Sequence, residues 1–211
     1  MNVWDARAEA YRKSREHSEG WDLDVVVDWA NGARTALDVA SGGGHVTRRL
    51  REAGMDVVSS DPSPGMQPDV VCSAEDLPFA DGSFDVVACR LAAHHFEDVE
   101  RGVAEMARVS GDLVIVVDNL RMGDEDEEAS RLRDPSHVRN YSEEEWRALF
   151  DGAGLTLEEA VVGERRISFD PWLERTGCTG EDAARVRELL ADRIEDGRLR
   201  LDRIALKGRR G

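Results

Sequence analysis

The chain has 211 residues, 44 of them acidic and 28 Lys or Arg, for a formal net charge of −16 at pH 7. That length suffices for one α/β domain with a full core, and no apolar run approaches the ~18 residues of a membrane-spanning helix. A field this negative repels phosphate backbones and argues against a nucleic-acid partner.

Residues 3–18 are highly charged, with Trp4, Ala8 and Tyr11 at helical spacing, and predict a helix. Residues 22–29 predict a second, short helix carrying Leu23, Val26 and Val27. Strands and helices then alternate, the pattern of a parallel sheet. Strands are expected at 36–40, 56–60, 69–72, 84–89 and 113–117, with helices at 46–52 and 99–109. Gly111-Asp112 is expected to break the chain before the fifth strand. Beyond Asp118 the pattern changes. Residues 123–128 are an acidic run, read as a solvated helix start, and Arg131-Leu-Arg-Asp-Pro-Ser-His-Val-Arg139 is a basic insert. Ser142-Glu-Glu-Glu145 has the form of a capping box, opening a helix that Gly152-Ala-Gly154 ends. Residues 155–162 and 199–206 read as alternating strands, with helices at 170–173 and 181–194 between them. With no internal repeat or low-complexity linker, 1–211 reads as a single domain. Residues 1–30 form its helical cap and residues 119–145 an insert or lid.

The N-terminal run Met1-Asn-Val-Trp-Asp-Ala-Arg7 is polar and holds no secretory apolar region, so no membrane association is expected. Cys72, Cys89 and Cys178 form no CxxC pair, and their odd number suits reduced, buried thiols in a cytoplasmic protein. Only Lys13 and Lys207 are lysines. An acid-rich, lysine-poor chain fits a halophilic source. In molar salt, where the screening length shrinks to ~3 Å, the charge reflects the solvent as much as any partner.

The ligand signal lies in Thr35-Ala-Leu-Asp-Val-Ala-Ser-Gly-Gly-Gly-His-Val-Thr47, which reads as a buried strand, a glycine turn and a helix start. Gly42, Gly43 and Gly44 let backbone approach a ligand closely. Asp38 is an acid inside an apolar strand, a costly placement unless something uses it. A small molecule is therefore expected at the carboxyl end of the first strand. A dinucleotide fingerprint G-x-G-x-x-G starting at Gly42 would need glycine at Thr47 and fails there. The next strand ends in Ser59-Ser60-Asp61, 17 residues after Gly44. A carboxylate at Asp61 suits a ribose diol, and it can cap the following segment as well.

The pattern Asp38-x-Ala40-x-Gly42-x-Gly44 resembles the first motif of class I S-adenosylmethionine-dependent methyltransferases, usually D/E-x-G-x-G-x-G, with Ala40 replacing the first glycine. The run Ser73-Ala-Glu-Asp-Leu-Pro-Phe-Ala-Asp-Gly-Ser-Phe-Asp85, with Leu91-Ala-Ala-His-His-Phe96 after the strand, resembles the methyltransferase type 11 subfamily of ubiquinone and menaquinone biosynthesis. The resemblance implies an α/β, Rossmann-like fold: a mostly parallel seven-stranded sheet flanked by helices, with the last strand antiparallel. It also implies S-adenosyl-L-methionine as cofactor and methyl transfer to a small-molecule acceptor, leaving the acceptor and the oligomeric state open.

The same resemblance assigns cofactor contacts. Asp38 orients the methionine amino end, and the backbone of Ala40, Ser41, Gly42 and Gly44 passes under methionine and ribose. Asp61 holds the ribose, and the Ala74 amide donates to the adenine ring. Ser73 stands where Asp is common, so Glu75 or Asp76 could take over the adenine amino contact. Arg90, ending the fourth strand, either touches the methionine portion or pairs with a surface acid. His94 and His95 follow that strand, where either could remove a proton from an acceptor or simply pack. Adjacent residues on a helix cannot both face a pocket, so one catalytic histidine is expected, with His95 the first candidate and His94 the second. A metal at His45, His94 and His95 is not expected, because no carboxylate or cysteine stands at ligand spacing. Tyr11, Ser14 and His17 loosely share a helix face that is either a lid or a solvated surface. Arg131, Arg133, His137 and Arg139 either grip an anionic substrate or pair with the acids at 124–128.

One departure from the family is large. Its members place a helix between the second and third strands, whereas here only Pro62-Ser-Pro-Gly-Met-Gln-Pro68 intervenes. Three prolines and a glycine in seven residues will not form a helix. This stripped crossover is expected either to weaken cofactor shielding or to leave a surface for a partner chain. Two other functions fit the residues: a nicotinamide-dependent oxidoreductase, and a non-catalytic S-adenosylmethionine-binding module.

Overall fold

The computed structural model describes residues 3–211; the first two residues of the expected 1–30 cap lie outside them. Five parallel strands form one side of the sheet: β1 (Thr35–Val39), β2 (Asp56–Asp61), β3 (Val70–Val71), β4 (Phe84–Arg90) and β5 (Ser110–Asn119). The other side is β6 (Leu155–Ser168) and β8 (Arg198–Arg210), with the two-residue β7 (Ile194–Glu195) paired to β8. The order is β3-β2-β1-β4-β5-β8-β6, with β8 antiparallel to both its neighbours. This is the expected seven-stranded arrangement, with the last strand antiparallel, plus the short β7.

Period-two alternation divides the strands between two cores. Leu37, Val39, Val87, Cys89, Val114 and Val116 face one cluster, under α5 (Val99–Val109) and α7 (Glu143–Gly152). Ala36, Val86, Ala88, Leu113, Ile115 and Val117 face the other, under α3 (Trp21–Trp29) and α4 (His45–Glu52). A third cluster joins α6 (Asp124–Arg133), α8 (Phe169–Glu174) and α9 (Gly180–Leu189) over the far ends of β6 and β8.

Several expectations are corrected. Gly111-Asp112 does not break the chain but lies inside β5. Phe84 pairs with Ser110 and Val86 with Leu113, so the extra residue bulges and the strand continues. The expected 3–18 helix splits into α1 (Val3–Arg12) and α2 (Arg15–Ser18), because Ser14 turns extended and its hydroxyl bonds His17 Nδ1 at 2.8 Å. The acidic run opening α6 is solvated only in part: Asp124, Glu125 and Glu128 are exposed, but Asp126 and Glu127 are buried, and Glu127 accepts from the Asn140 N–H at 2.9 Å. Helix α9 ends at Leu189, and residue 194 is already strand. Strand β6 runs on to Ser168 through charged Glu164, Arg165 and Arg166, since an edge strand needs only one covered face. The Ser142–Glu145 capping box forms in both directions.

The crossover between β2 and β3 holds only a 3₁₀ turn, Pro64–Met66. It is not left bare, because α1 lies across it. Asp5 Oδ1 accepts from the Ser63 hydroxyl at 2.6 Å and from the Gly65 N–H at 2.8 Å, and Arg12 donates to the Gly65 carbonyl at 3.0 Å. A Cβ on Gly65 would stand 2.6 Å from the Asp5 Cα, so glycine here lets the helix seat. The N-terminal helix thus covers the crossover where the family would place a helix.

Candidate active site

The parallel strands end level with one another, Val39 beside Ser60 and Cys89, and Arg90 beside Val117. Above these ends, where open α/β sheets bind ligands, lies a cavity of about 540 Å³. Asp38, Ala40, Ser41, Gly42, Asp61, Ser73, Ala74, Glu75, Arg90, His94 and His95 all line it. Gly44 does not; it faces a shallow groove outside the turn, beside Arg12 and Arg48. Asp76 is exposed and outside the lining, whereas Glu75 is committed to the protein: it accepts from the Ser73 hydroxyl and from the Glu97 N–H at 3.0 Å.

Each glycine of the turn has a different task. Gly42 and Gly44 adopt left-handed φ of +51° and +70°. A Cβ on Gly42 would meet nothing within 4 Å, so it borders open space, whereas one on Gly43 would stand 2.8 Å from the Tyr11 carbonyl. The middle glycine therefore admits the protein's own helix α1 rather than a ligand. Thr47, where the dinucleotide fingerprint fails, has a positive reason to be Thr. Its N–H and hydroxyl donate to Asp38 Oδ2 at 2.9 and 2.6 Å, tying α4 to β1. Burial raises the Asp38 carboxyl to about 6 despite those bonds. Asp61 holds the same turn through Oδ2, which accepts from the Gly42 N–H at 2.9 Å, while Oδ1 accepts from the Ser63 N–H. Burial raises this carboxyl as well.

Ala40 has φ +53° and Leu91 φ +56°, two strained non-glycine residues, both at strand ends against the cavity. This gives a physical reason for the glycine that the resemblance leads one to expect at Ala40. Replacing Ala40 with Gly is expected to stabilise the protein by about 0.5–1 kcal/mol, raising Tm by roughly 1–4 °C in calorimetry. An unchanged or lower Tm would mean that the methyl group packs well enough to offset the strain.

His94 and His95 lie in a 3₁₀ turn, Ala93–His95, not an α-helix, and both rings reach the cavity, their centroids 4.1 Å apart. The expectation that only one could face it is thereby corrected. Their settings differ. His94 Nδ1 lies 2.5 Å from Asp118 Oδ1, and its backbone N–H donates to Oδ2 at 2.9 Å. Burial works to raise the Asp118 carboxyl, but the His94 ring and the hydrogen bonds from His94 and Asn119 hold it below the ordinary range. His95 Nδ1 bonds the Ser136 carbonyl at 2.9 Å, and burial together with the neighbouring His94 pushes its ring down to about 3. The basic insert supplies this support, since Val138 N–H donates to the His94 carbonyl at 2.9 Å. Within the insert, Arg131 and His137 pair with Glu127 and Arg139 with Glu145, so structural pairing describes all but Arg133.

Arg90 pairs not with a surface acid but with fully buried Asp22 of α3, its Nε and Nη2 lying 2.8 and 2.6 Å from Oδ2. Arg203 donates to the same oxygen at 2.8 Å, and Arg165 lies 3.5 Å from Oδ1. Arg90 also donates to the His17 carbonyl at 2.9 Å, which ties the cap to β4. Tyr11 and His17 of the N-terminal segment line the cavity, as do Trp172 and Leu201.

Comparison with known proteins matches this geometry to a family. A family model described as a methyltransferase domain matches residues 37–115. The methyltransferase YcgJ of Bacillus subtilis, an uncharacterized relative, is 34% identical over 199 residues, covering 82% of this chain and 78% of its own. The chain belongs to the S-adenosylmethionine-dependent methyltransferases. The crystal structure of YcgJ superposes with a TM-score of 0.80 at 27% identity, covering 90% of this chain and 97% of that one. A demethylmenaquinone methyltransferase of Renibacterium salmoninarum is 39% identical over 107 residues, 43% of this chain and 45% of its own.

Three parts of the cavity and its supports escaped the sequence reading. Asp118 ends an apolar strand as Asp38 does, so the same signal marked it. Asp22 lies among the acids of α3, where nothing in the local pattern distinguishes it. Arg175, Arg203, Trp172 and Leu201 come from the C-terminal third and reach the cavity only because β8 inserts beside β5.

Proposed function

We propose that this methyltransferase acts on a small molecule that loses a proton as it is methylated, with His94 as the proton acceptor and Asp118 as the group that orients it. The observation that carries this is the buried His94–Asp118 pair, whose histidine lines the same cavity as Asp38 and Asp61. S-adenosylmethionine supplies an activated methyl on a sulfonium. The open space over Gly42, between two buried carboxylates, fits such a cofactor: Asp61 would take the ribose hydroxyls and Asp38 the methionine ammonium. With Nδ1 held by Asp118, His94 keeps Nε2 for a substrate proton. His95, held at a low basicity, shapes the wall beside it. Residues 3–30 and 119–145 serve as cap and support, excluding water from the cavity. The enclosed site and the negative charge favour a small-molecule acceptor over nucleic acid. The three free cysteines suit a cytoplasmic enzyme, and the acid-rich, lysine-poor composition a halophilic one. Among the described residues no helix is long and apolar enough to cross a membrane.

Titration with S-adenosylhomocysteine tests the cofactor assignment. A saturating excess is expected to raise Tm, about 2.7 kcal/mol of stabilisation accompanying a hundredfold excess over Kd. Asp61→Ala should weaken binding about 100-fold, the loss of two hydrogen bonds to a charged acceptor. Wild-type affinity in Asp61→Ala would remove the ribose assignment.

A pH dependence follows from Asp38. Its ionised form suits an ammonium, so affinity is expected to climb as pH rises toward 6, by up to ~tenfold per unit, with a proton released on binding. For the free protein the sign is opposite: a raised Asp contributes stability at low pH that is lost as pH climbs from about 4 toward 6. Calorimetry in buffers of different ionisation heat measures the released proton. A flat profile in wild type, or an unchanged one in Asp38→Asn, would refute the ammonium contact.

A further inference from the structure

We propose that the methyl acceptor carries an anionic group, a carboxylate or a phosphate, joined to an apolar body, and that Arg133 and Arg203 receive that group. This rests on the reading of the cavity given above and extends it to the substrate.

Charge in the cavity is unevenly spread, with Arg90 and Arg101 among the residues of the cofactor side and Glu16 beside the far arginines. Asp38, Asp61 and Glu75 lie at the ends of β1 and β2 and in the loop leading to β4, on the cofactor side. The opposite wall, built by α6, α8 and β8, carries Arg133, Arg175 and Arg203. Cations outnumber acids there. Asp22 alone serves Arg90, Arg165 and Arg203, and Glu16 serves Arg175 at 2.6 Å. Arg133 forms no ion pair among the described residues. It donates to the Trp172 carbonyl at 3.0 Å, hydrogen-bonds the Tyr11 side chain and lies 4.2 Å over the Trp172 ring, while adjacent Asp134 is engaged by Arg7 at 3.0 Å. Four guanidinium groups thus share two carboxylates, and Arg133 pairs with neither. The Nε of Arg203, a residue 4% exposed, has no hydrogen-bond partner among the described residues.

Such an excess is costly to hold in a buried wall. Burial pushes both Arg133 and Arg203 down to about 10, and burial with the nearby Arg175 and Arg203 charges holds His17 well below its ordinary range. The cofactor does not relieve the imbalance, since its ammonium and sulfonium outweigh its carboxylate. An acceptor anion does: a guanidinium fork matches the oxygens of a carboxylate or phosphate. Ile167, Trp172 and Leu201, all nearly buried, give the same wall an apolar surface for the rest of the molecule. Arg133, Trp172 and Leu201 also border the small space beside His94 and His95, which brings an anion held there close to the proton acceptor.

The test is calorimetric titration of the S-adenosylhomocysteine complex with three probes: benzoate, phenyl phosphate and the neutral isostere benzamide. At least one anion is expected to bind about tenfold more tightly than benzamide. A preference for benzoate identifies a carboxylate acceptor and a preference for phenyl phosphate a phosphorylated one. Arg133→Gln should abolish the anion's advantage while S-adenosylhomocysteine affinity stays within about twofold, and Arg133→Lys should keep part of it. Equal binding of benzamide and the anions, binding of none, or an unaltered preference in a folded Arg133→Gln would each overturn the proposal. The wild-type comparison decides it even where the variant does not fold. If S-adenosylhomocysteine itself fails to bind, the cofactor assignment falls, and the same three probes on the protein alone still decide the anion site.

Discussion

His94→Gln is expected to lower turnover by roughly 10²–10⁴-fold, the usual contribution of a positioned general base, while leaving S-adenosylhomocysteine affinity unchanged. The argument is geometric. Asp118 is 1% exposed and accepts from both the ring and the backbone N–H of His94. It therefore fixes the ring's tautomer and direction at once, as carboxylate–histidine pairs do. Asp118→Asn should follow His94→Gln in direction, because an amide leaves one acceptor oxygen where two bonds are needed. His95→Gln should cost far less, since a ring already held to about 3 is a poor base at neutral pH. An acceptor found by transfer of labelled methyl from S-adenosylmethionine allows steady-state comparison of all three. Full turnover in His94→Gln would eliminate the proton-acceptor role. Turnover lost in His95→Gln alone would exchange the two assignments. Absence of turnover in wild type across a broad acceptor panel, with cofactor bound, would favour a non-catalytic binding module.

Asp22→Asn is expected to destabilise the fold by about 3–5 kcal/mol, the cost of stranding a buried charge, lowering Tm by roughly 6–20 °C. This one carboxylate lies within 2.8 Å of Arg90 and Arg203 and 3.5 Å from Arg165, with no exposure of its own. Without it three cations from α3's neighbours β4, β6 and β8 would face one another. Burial works to raise the Asp22 carboxyl, but the Arg203 and Arg90 charges outweigh it and hold it below the ordinary range. For a lowered Asp the stabilisation is full above about pH 4, the unfolded value, and is lost as pH falls through the folded value. The wild type should therefore lose stability on acidification more steeply than Asp22→Asn, which lacks that group. Thermal unfolding of both proteins from neutral pH down to about pH 2, well below the ordinary Asp value of ~3.9, measures this. Equal slopes, or an Asn variant as stable as wild type at neutral pH, would show that the arginine cluster is stable without its acid.

The gathering of the candidate cofactor residues at one cavity was legible because it is local. Asp38, the Gly42–Gly44 turn and Asp61 lie within one β-α-β unit, where side-chain direction and turn chemistry follow from nearby residues. The capping box at Ser142 and the apolar alternation of β1, β4 and β5 were legible for the same reason. Patterns failed where a single long-range contact reversed the local preference. The acids opening α6 look solvated until Asn140 and His137 close over Glu127. Gly111-Asp112 looks like a breaker until β5 bulges there against β4.

What the sequence determined by itself is therefore the strand-turn-helix motif and the absence of a helix after β2, each set by short-range sterics and spacing, while the cofactor class came from the resemblance of its motifs to a known family. Only the tertiary structure decided that α1 covers the bare crossover, that Gly43 serves that helix, that Asp118 rather than a nearer group orients His94, and that Asp22 gathers arginines from three strands. Those partners are separated by tens to more than a hundred residues of chain. Burial and charge pairing at such separations depend on which surfaces the sheet order brings together, and no local periodicity carries that information.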